Sequence, residues 1–122
     1  MTNRQLALLA RLEAWFNANG HASALDAARA MQMPPEAAQA VVALGVSAGR
    51  FILVGREVYT RDRFDQLVEG LRGKLGDTFF KPRELREALD ESPAWVDHFA
   101  ETLGRKGLLE RGADGWRLQQ GP

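Results

Sequence analysis

Gly49-Arg50-Phe51-Ile52-Leu53-Val54-Gly55-Arg56-Glu57-Val58-Tyr59-Thr60 decides the fold. Phe51 to Val54 is an apolar run too short for anything but a strand. Gly55-Arg56 supplies a turn, and Glu57 to Thr60 returns as the partner strand. Upstream, Met33-Pro34-Pro35-Glu36 opens a helix, because proline fits the first turn where its missing N–H is not needed. That helix runs through Val41, Val42 and Leu44 to about Ala48. Before it, Ser23 to Met31 reads as a short helix with Leu25, Ala28 and Met31 on one side. Gln5 to Asn17 carries Leu6, Leu8, Leu9, Leu12, Trp15 and Phe16 at helical spacing and stops at Asn19-Gly20. Three helices followed by a hairpin is the winged-helix order.

Downstream the order recurs. Arg61 to Leu75 is an amphipathic helix carrying Phe64, Leu67, Val68, Leu71 and Leu75, and Gly76-Asp77 ends it. Phe79-Phe80 supplies a short strand or a core plug, and Pro82 opens a helix ending at Leu89. Ser92-Pro93 caps a third helix that turns Trp95, Val96, Phe99 and Leu103 inward and ends at Lys106-Gly107. Leu108 to Arg111, a loop at Gly112-Ala113-Asp114-Gly115, and Trp116 to Leu118 form a second wing. A shift of 58 positions (89 minus 31) lays Met31 on Leu89, Pro35 on Pro93, Val41 on Phe99, Gly49 on Gly107, Phe51 on Leu109 and Val58 on Trp116. Agreement across caps, core and wing points to a duplicated unit. The expected fold is mainly α (α+β): two tandem winged-helix units, residues 1–60 and 61–122, each of three helices and a β-hairpin wing. Units of roughly 60 residues bury little surface alone, so shared packing or a continuous connecting helix is expected.

The 122 residues contain no cysteine, which removes disulfides, thiolate catalysis and sulfur-based zinc sites. No apolar run approaches a membrane span, and Met1-Thr2-Asn3-Arg4 lacks the apolar core of a signal peptide, so a cytoplasmic monomer is expected. His21 and His98 belong to different units, and neither has the ligand neighbours that a metal requires. The carboxylates are scattered toward solvent, and neither Gly-x-Gly-x-x-Gly nor Gly-Lys-Ser/Thr occurs. The chain therefore reads as a binding module and not an enzyme, with no cofactor.

Sixteen basic residues balance sixteen acidic ones, which counts against a grip on a long duplex. The third helix of the first unit offers Glu36, Gln39, Ala40, Ala43 and Ser47 to solvent, with no cation. Its counterpart offers Asp97, His98, Glu101 and Arg105, and Asp97 and Glu101 repel phosphates. Cations gather elsewhere: Lys81, Arg83 and Arg86 around the second helix, and Arg105, Lys106, Arg111 and Arg117 around the last helix and wing. Such a cluster can hold a few phosphates of a compact RNA hairpin. Its other reading is surface pairing with Glu84, Glu87, Glu101 and Glu110. Most aromatic residues fall at core spacing; Tyr59 and Trp116 on the returning wing strands are the candidates to touch a partner.

The stretches Met33 to Ala38, Gly49 to Val54, Glu57-Val58-Tyr59 and Leu85-Arg86-Glu87-Ala88-Leu89, in this order, resemble the carboxy-terminal winged-helix pair of the bacterial selenocysteine-specific translation elongation factors. The resemblance covers nearly the whole chain. It implies an RNA-anchoring fragment that binds a selenocysteine insertion hairpin in messenger RNA through the last winged helix. The rest of such a factor and the ribosome would then be further partners. It also implies roles for Ser92 at the start of the last helix, and for Arg111 and Arg117 at the wing. Pro93 and Ala94 depart from the family's Arg-Lys, and Glu110 stands where the first arginine of a pair is expected. Either Arg105, Lys106 or Lys81 serves in their place, or the winged-helix pair is kept without hairpin binding. Two rival readings remain: a protein-interaction module using the Ala37, Ala40 and Ala43 face, and a duplex DNA binder.

Overall fold

The computed structural model describes residues 1–119; residues 120–122, into which the expected second unit extends, lie outside the described residues. Among the described residues the chain is mainly helical with two small sheets. Its elements are α1 (Asn3–Asn19), β1 (Ala22–Ser23), α2 (Ala24–Ala30), α3 (Pro35–Ser47), β2 (Phe51–Val54), β3 (Glu57–Thr60), α4 (Arg61–Leu75), α5 (Pro82–Leu89), α6 (Pro93–Arg105), β4 (Leu109–Gly112) and β5 (Gly115–Leu118). They divide into two compact units, Met1–Asp65 and Gln66–Pro122.

In the first unit each helix start is chemically marked. Thr2 Oγ1 accepts from Gln5 N at 3.1 Å while Gln5 Oε1 accepts from Thr2 N at 2.9 Å, a reciprocal box that satisfies two orphan donors of α1. Ser23 Oγ accepts from Asp26 N at 3.1 Å to start α2, and Pro35 opens α3. The helices close over Leu9, Leu12, Phe16, Ala27, Val41 and Val42, joined by Phe51 and Val58 from the hairpin. Each Val, Leu or Phe among them contributes about 1.5–3 kcal/mol when fully buried. β3 is the middle strand of a three-stranded antiparallel sheet, order β1-β3-β2. The two-residue β1 was not anticipated from the sequence. Two residues carry no periodicity, and only the pairing of Ala22 with Val58 and of Ser23 with Glu57 defines them.

Three apolar residues fall outside the expected core. Leu6, Leu25 and Phe79 are 44%, 41% and 39% exposed, so helical spacing alone overstated the inward face of α1 and α2. In α2 the inward pair is Ala27 and Ala28.

In the second unit Pro82 opens α5, and Ser92 Oγ accepts from Trp95 N at 3.3 Å to open α6. The buried side chains there include Leu85, Val96, Phe99, Leu103, Leu109 and Leu118. Phe80 is buried and forms an isolated antiparallel bridge with Trp116, its N–H donating to Trp116 O at 2.6 Å and its carbonyl accepting from Trp116 N at 2.8 Å.

Backbone positions repeat at the interval read from the sequence. Phe51 pairs with Thr60 and Leu109 with Leu118, so both partners move by 58 (109 minus 51, 118 minus 60). Ala22 with Val58 and Phe80 with Trp116 obey the same interval, as do the bounds of α3 and α6. The first helices do not. Leu9, Leu12 and Phe16 of α1 would fall on Leu67, Gly70 and Lys74, whereas α4 buries Phe64, Val68 and Leu71. Among the described residues no helix is long and apolar enough to cross a membrane, and no group of three His, Asp or Glu side chains could hold a metal ion.

Candidate nucleic-acid interface

The last hairpin turns at Ala113-Asp114, so Arg111 faces Trp116 and Glu110 faces Arg117. Adjacent positions of a strand point to opposite faces. Leu109, Arg111, Trp116 and Leu118 therefore share one face of the wing, and Glu110, Gly112, Gly115 and Arg117 share the other. Phe80, bridged to Trp116, lies on the first face, which puts Phe79 on the second. The structure thus separates two of the expected RNA-binding residues that the sequence had grouped: Arg111 and Arg117 lie on opposite faces of the wing.

Each of the two has an aromatic support that the sequence reading did not assign. The Arg111 guanidinium carbon sits 5.3 Å from the Trp116 ring centre, and that of Arg117 sits 4.9 Å from the Phe79 ring centre. An arginine held over a ring is oriented by the ring's quadrupole and keeps its N–H fork presented edgewise. The signal for Phe79 was available, because two adjacent phenylalanines in an extended segment cannot both point inward.

Arg111 is exposed, and among the described residues it makes no ion pair. Arg117 does: its Nε donates to Glu110 Oε2 at 2.9 Å and its Nη2 donates to the same oxygen. Lys81 precedes α5 with its stem beside Gly115, where a Cβ would lie 3.6 Å from Lys81 Cδ. Its backbone N–H is taken by Glu84 Oε1 at 3.0 Å. Arg105 pairs one turn back with Glu101 at 3.4 Å and reaches Thr102 Oγ1 at 3.3 Å. Lys106 caps the end of α6 and is exposed, without an ion-pair partner among the described residues. Ser92 starts the same helix. At 1.5 Å per residue it stands roughly 20 Å from Lys106, so the two do not converge. Its oxygen already caps the helix. Pairing with glutamates, the bland reading of the cations, is realised at Arg83–Glu87, Arg105–Glu101 and Arg117–Glu110.

A cleft of 480 Å³ opens beside Arg117, lined by Arg72, Asp77, Glu110, Leu118 and Gln119 as well. Arg72 is spent internally. Its Nη2 donates to Gln119 O at 3.1 Å, its Nε lies 3.4 Å from Glu69, and its side chain is only 19% exposed.

The corresponding face of the first wing is closed. The positions 58 earlier than Phe79 and Arg117 are His21 and Tyr59 (79 minus 21, 117 minus 59). Those rings stack at 4.8 Å, and Phe64 packs edge-on against Tyr59 at 6.5 Å. Tyr59 is 5% exposed, which overturns its expected availability to a partner. A cleft of 340 Å³ in the first unit does contain Arg50, but Glu13 holds that guanidinium through two nitrogens, and this bond raises its pKa above the usual arginine value. The exposed face of α3 carries Glu36, Gln39, Ala40, Ala43 and Ser47, and that of α6 carries Asp97, His98, Glu101 and Arg105.

No family model matches the chain, and no curated protein matches it in sequence. Solved structures that share its fold include two selenocysteine elongation factors. The mRNA-binding domain of elongation factor SelB from E. coli, solved in complex with SECIS RNA, is similar with a TM-score of 0.71 at 18% identity, over 98% of this chain and 100% of that one. The bacterial selenocysteine-specific elongation factor EF-Sec gives a TM-score of 0.64 at 15% identity over 98% of this chain, which spans 19% of its length. The resemblance read from the sequence therefore holds at the level of the fold.

Proposed function

We propose that the chain is a tandem of two winged-helix units, residues 1–60 and 61–122, and that it binds an RNA hairpin through the wing of the second. The observation that carries this reading is the open, arginine-bearing second wing, set against a first wing whose equivalent face is sealed by Tyr59 and Phe64. Arg111, stacked on Trp116 and free of a carboxylate among the described residues, is the leading contact for a phosphate or an unstacked base. Lys81 and Lys106 add attraction, Arg105 adds it once released from Glu101, and Ser92 serves the helix cap. The fold likeness to a domain solved with SECIS RNA supports the further step: the chain anchors a translation elongation factor to a selenocysteine insertion hairpin in messenger RNA.

Duplex reading by α6 is disfavoured, since Asp97 and Glu101 present two carboxylates to the phosphate rails. One observation favours a second reading, in which the uncharged face of α3 at Gln39, Ala40 and Ala43 packs on a protein partner. Filter binding of a labelled selenocysteine-insertion stem-loop separates the two. Arg111→Glu is expected to weaken binding by about tenfold or more, the size of a lost charge-assisted contact plus added repulsion. An unchanged affinity would remove the site.

A further inference from the structure

Arg111 and Arg117 are equally placed on aromatic rings but unequally available, and the difference is Glu110. Resting on the RNA-binding reading, we propose that Glu110 sets the selectivity of the wing, its carboxylate holding Arg117 in the free protein so that the guanidinium passes only to an RNA phosphate rigidly presented at the cleft.

The geometry supplies the mechanism. Two donors of Arg117, on Nε and Nη2, converge on the single oxygen Glu110 Oε2. The Phe79 ring covers one face of the guanidinium, so the group cannot swing away from its strand without losing both contacts. The pair is also less exposed than an ordinary surface bridge. Its side chains are 41% and 35% accessible, against 62% and 64% for Arg105 and Glu101. Partial burial raises the strength of the contact and the repulsion that an approaching phosphate feels from the same carboxylate.

The cleft beside the pair is charge-balanced, with Arg72 and Arg117 set against Asp77 and Glu110. Because Arg72 is already bonded to Glu69 and Gln119, no spare cation among the described residues lining it draws an anion in. A phosphate gains Arg117 only by taking over both donors and pushing Glu110 aside. A folded hairpin, whose paired stem already holds that phosphate in place, can drive this exchange. A floppy strand must also lose its own freedom to do so. Glu110 therefore weakens all RNA binding, and unstructured RNA most.

The test uses the full chain, with fluorescence anisotropy of a labelled RNA stem-loop and of a labelled oligouridine of equal length. Glu110→Gln keeps the side-chain shape and is expected to tighten oligouridine binding by about tenfold while tightening the stem-loop less, so that the selectivity ratio falls. Asp65→Asn removes the same charge from an exposed arginine pair in the first unit and is expected to move neither affinity more than about twofold, as for a surface charge. In an Arg117→Gln background, Glu110→Gln is expected to do no more than Asp65→Asn. An RNA-free readout accompanies these: the Arg117 Nε proton exchanges slowly in the free wild type and fast in Glu110→Gln.

Fast exchange in the wild type overturns the proposal. So does a Glu110→Gln protein that binds like Asp65→Asn while Arg117→Gln weakens the stem-loop; the RNA reading then stands and the latch fails. If the proton is protected but none of the proteins binds either RNA, the RNA reading fails and takes the proposal with it.

Discussion

Gln32 and Asp90, 58 positions apart (90 minus 32), both adopt the left-handed conformation, with φ of 54° and 51°. Each follows a short helix, and Met33 N donates to Ala28 O at 3.0 Å across the first of these turns, closing the helix end. Left-handed backbone costs an ordinary L-residue roughly 1–2 kcal/mol, so coincident use of it reports a shared chain path more strongly than coincident apolar residues do.

Glycine carries no such cost, but it loses more freedom on folding. Gln32→Gly is therefore expected to stabilise the protein by about 0.5–1 kcal/mol, and Asp90→Gly by less, because aspartate tolerates this region better. Urea denaturation checks the order. A lower midpoint for Gln32→Gly would show that the side chain makes a contact worth more than the strain.

Gly73 and Gly104 lie inside α4 and α6, and a Cβ at either would meet nothing within 4 Å. Each position thus bears the helix cost of glycine without a packing reason. Gly73→Ala and Gly104→Ala should each raise stability by about 0.5–1 kcal/mol and leave RNA affinity alone. Thermal melts monitored at 222 nm decide it, and a fall in midpoint for either would point to a neighbour that needs the space.

Much of this architecture was legible because its boundaries are written in proline and glycine. Arg61 to Leu75 and Pro82 to Leu89 match the observed helices at both ends. The wings were legible too, although the second turn proved to be Ala113-Asp114 instead of a four-residue loop. What stayed hidden depends on contacts between distant segments. Tyr59 looks like a surface ring on an edge hairpin until Phe64 and His21 close on it. The placement of Arg111 and Arg117 on opposite faces was within reach, since a turn centred on Ala113-Asp114 pairs 111 with 116 and 110 with 117. Grouping cations by proximity in sequence ignored the alternation of strands.

Salt dependence follows from which cations are available. Lys81, Lys106 and Arg111 lack ion-pair partners among the described residues, while Arg105 and Arg117 are paired. About three phosphate contacts predict a slope of log K against log salt of roughly −2 to −3. A slope near −6 would require a much longer basic track than the wing provides, and a slope near zero would mean that binding is not electrostatic.

Gly115 is the backbone hinge of the second wing. Its φ is +126°, and a Cβ would overlap the Phe80 carbonyl oxygen that bonds Trp116 N. Gly115→Ala is expected to destabilise the protein by roughly 2–4 kcal/mol, combining backbone strain with a broken bridge. At Gly112 a Cβ would crowd the Phe79 ring at 3.1 Å and touch Gly115 O at an ordinary 3.8 Å, so Gly112→Ala is the milder change. Tryptophan fluorescence of Trp116 during denaturation reports the difference, and equal midpoints would contradict the assigned close approach.

Gly45 and Phe51 share one volume in the first unit. A Cβ on Gly45 would stand 2.5 Å from Phe51 Cδ2 and 3.0 Å from Leu9 Cδ1, so the helix comes close only because the side chain is missing. The positions 58 later hold Leu103 and Leu109 (103 minus 45, 109 minus 51), both buried, so the second unit carries two medium residues where the first has one large and none. Total volume, more than identity, is what a core position must satisfy. Gly45→Ala should therefore cost about 1–3 kcal/mol through overpacking. Phe51→Leu alone should cost about 1–2 kcal/mol for the void it leaves. Combined, the two should cost less than their sum by at least about 1 kcal/mol, because the added methyl fills space that the ring vacates. A double-mutant cycle in urea measures that coupling, and strict additivity would show that Gly45 is required for its backbone and not for the room it gives Phe51.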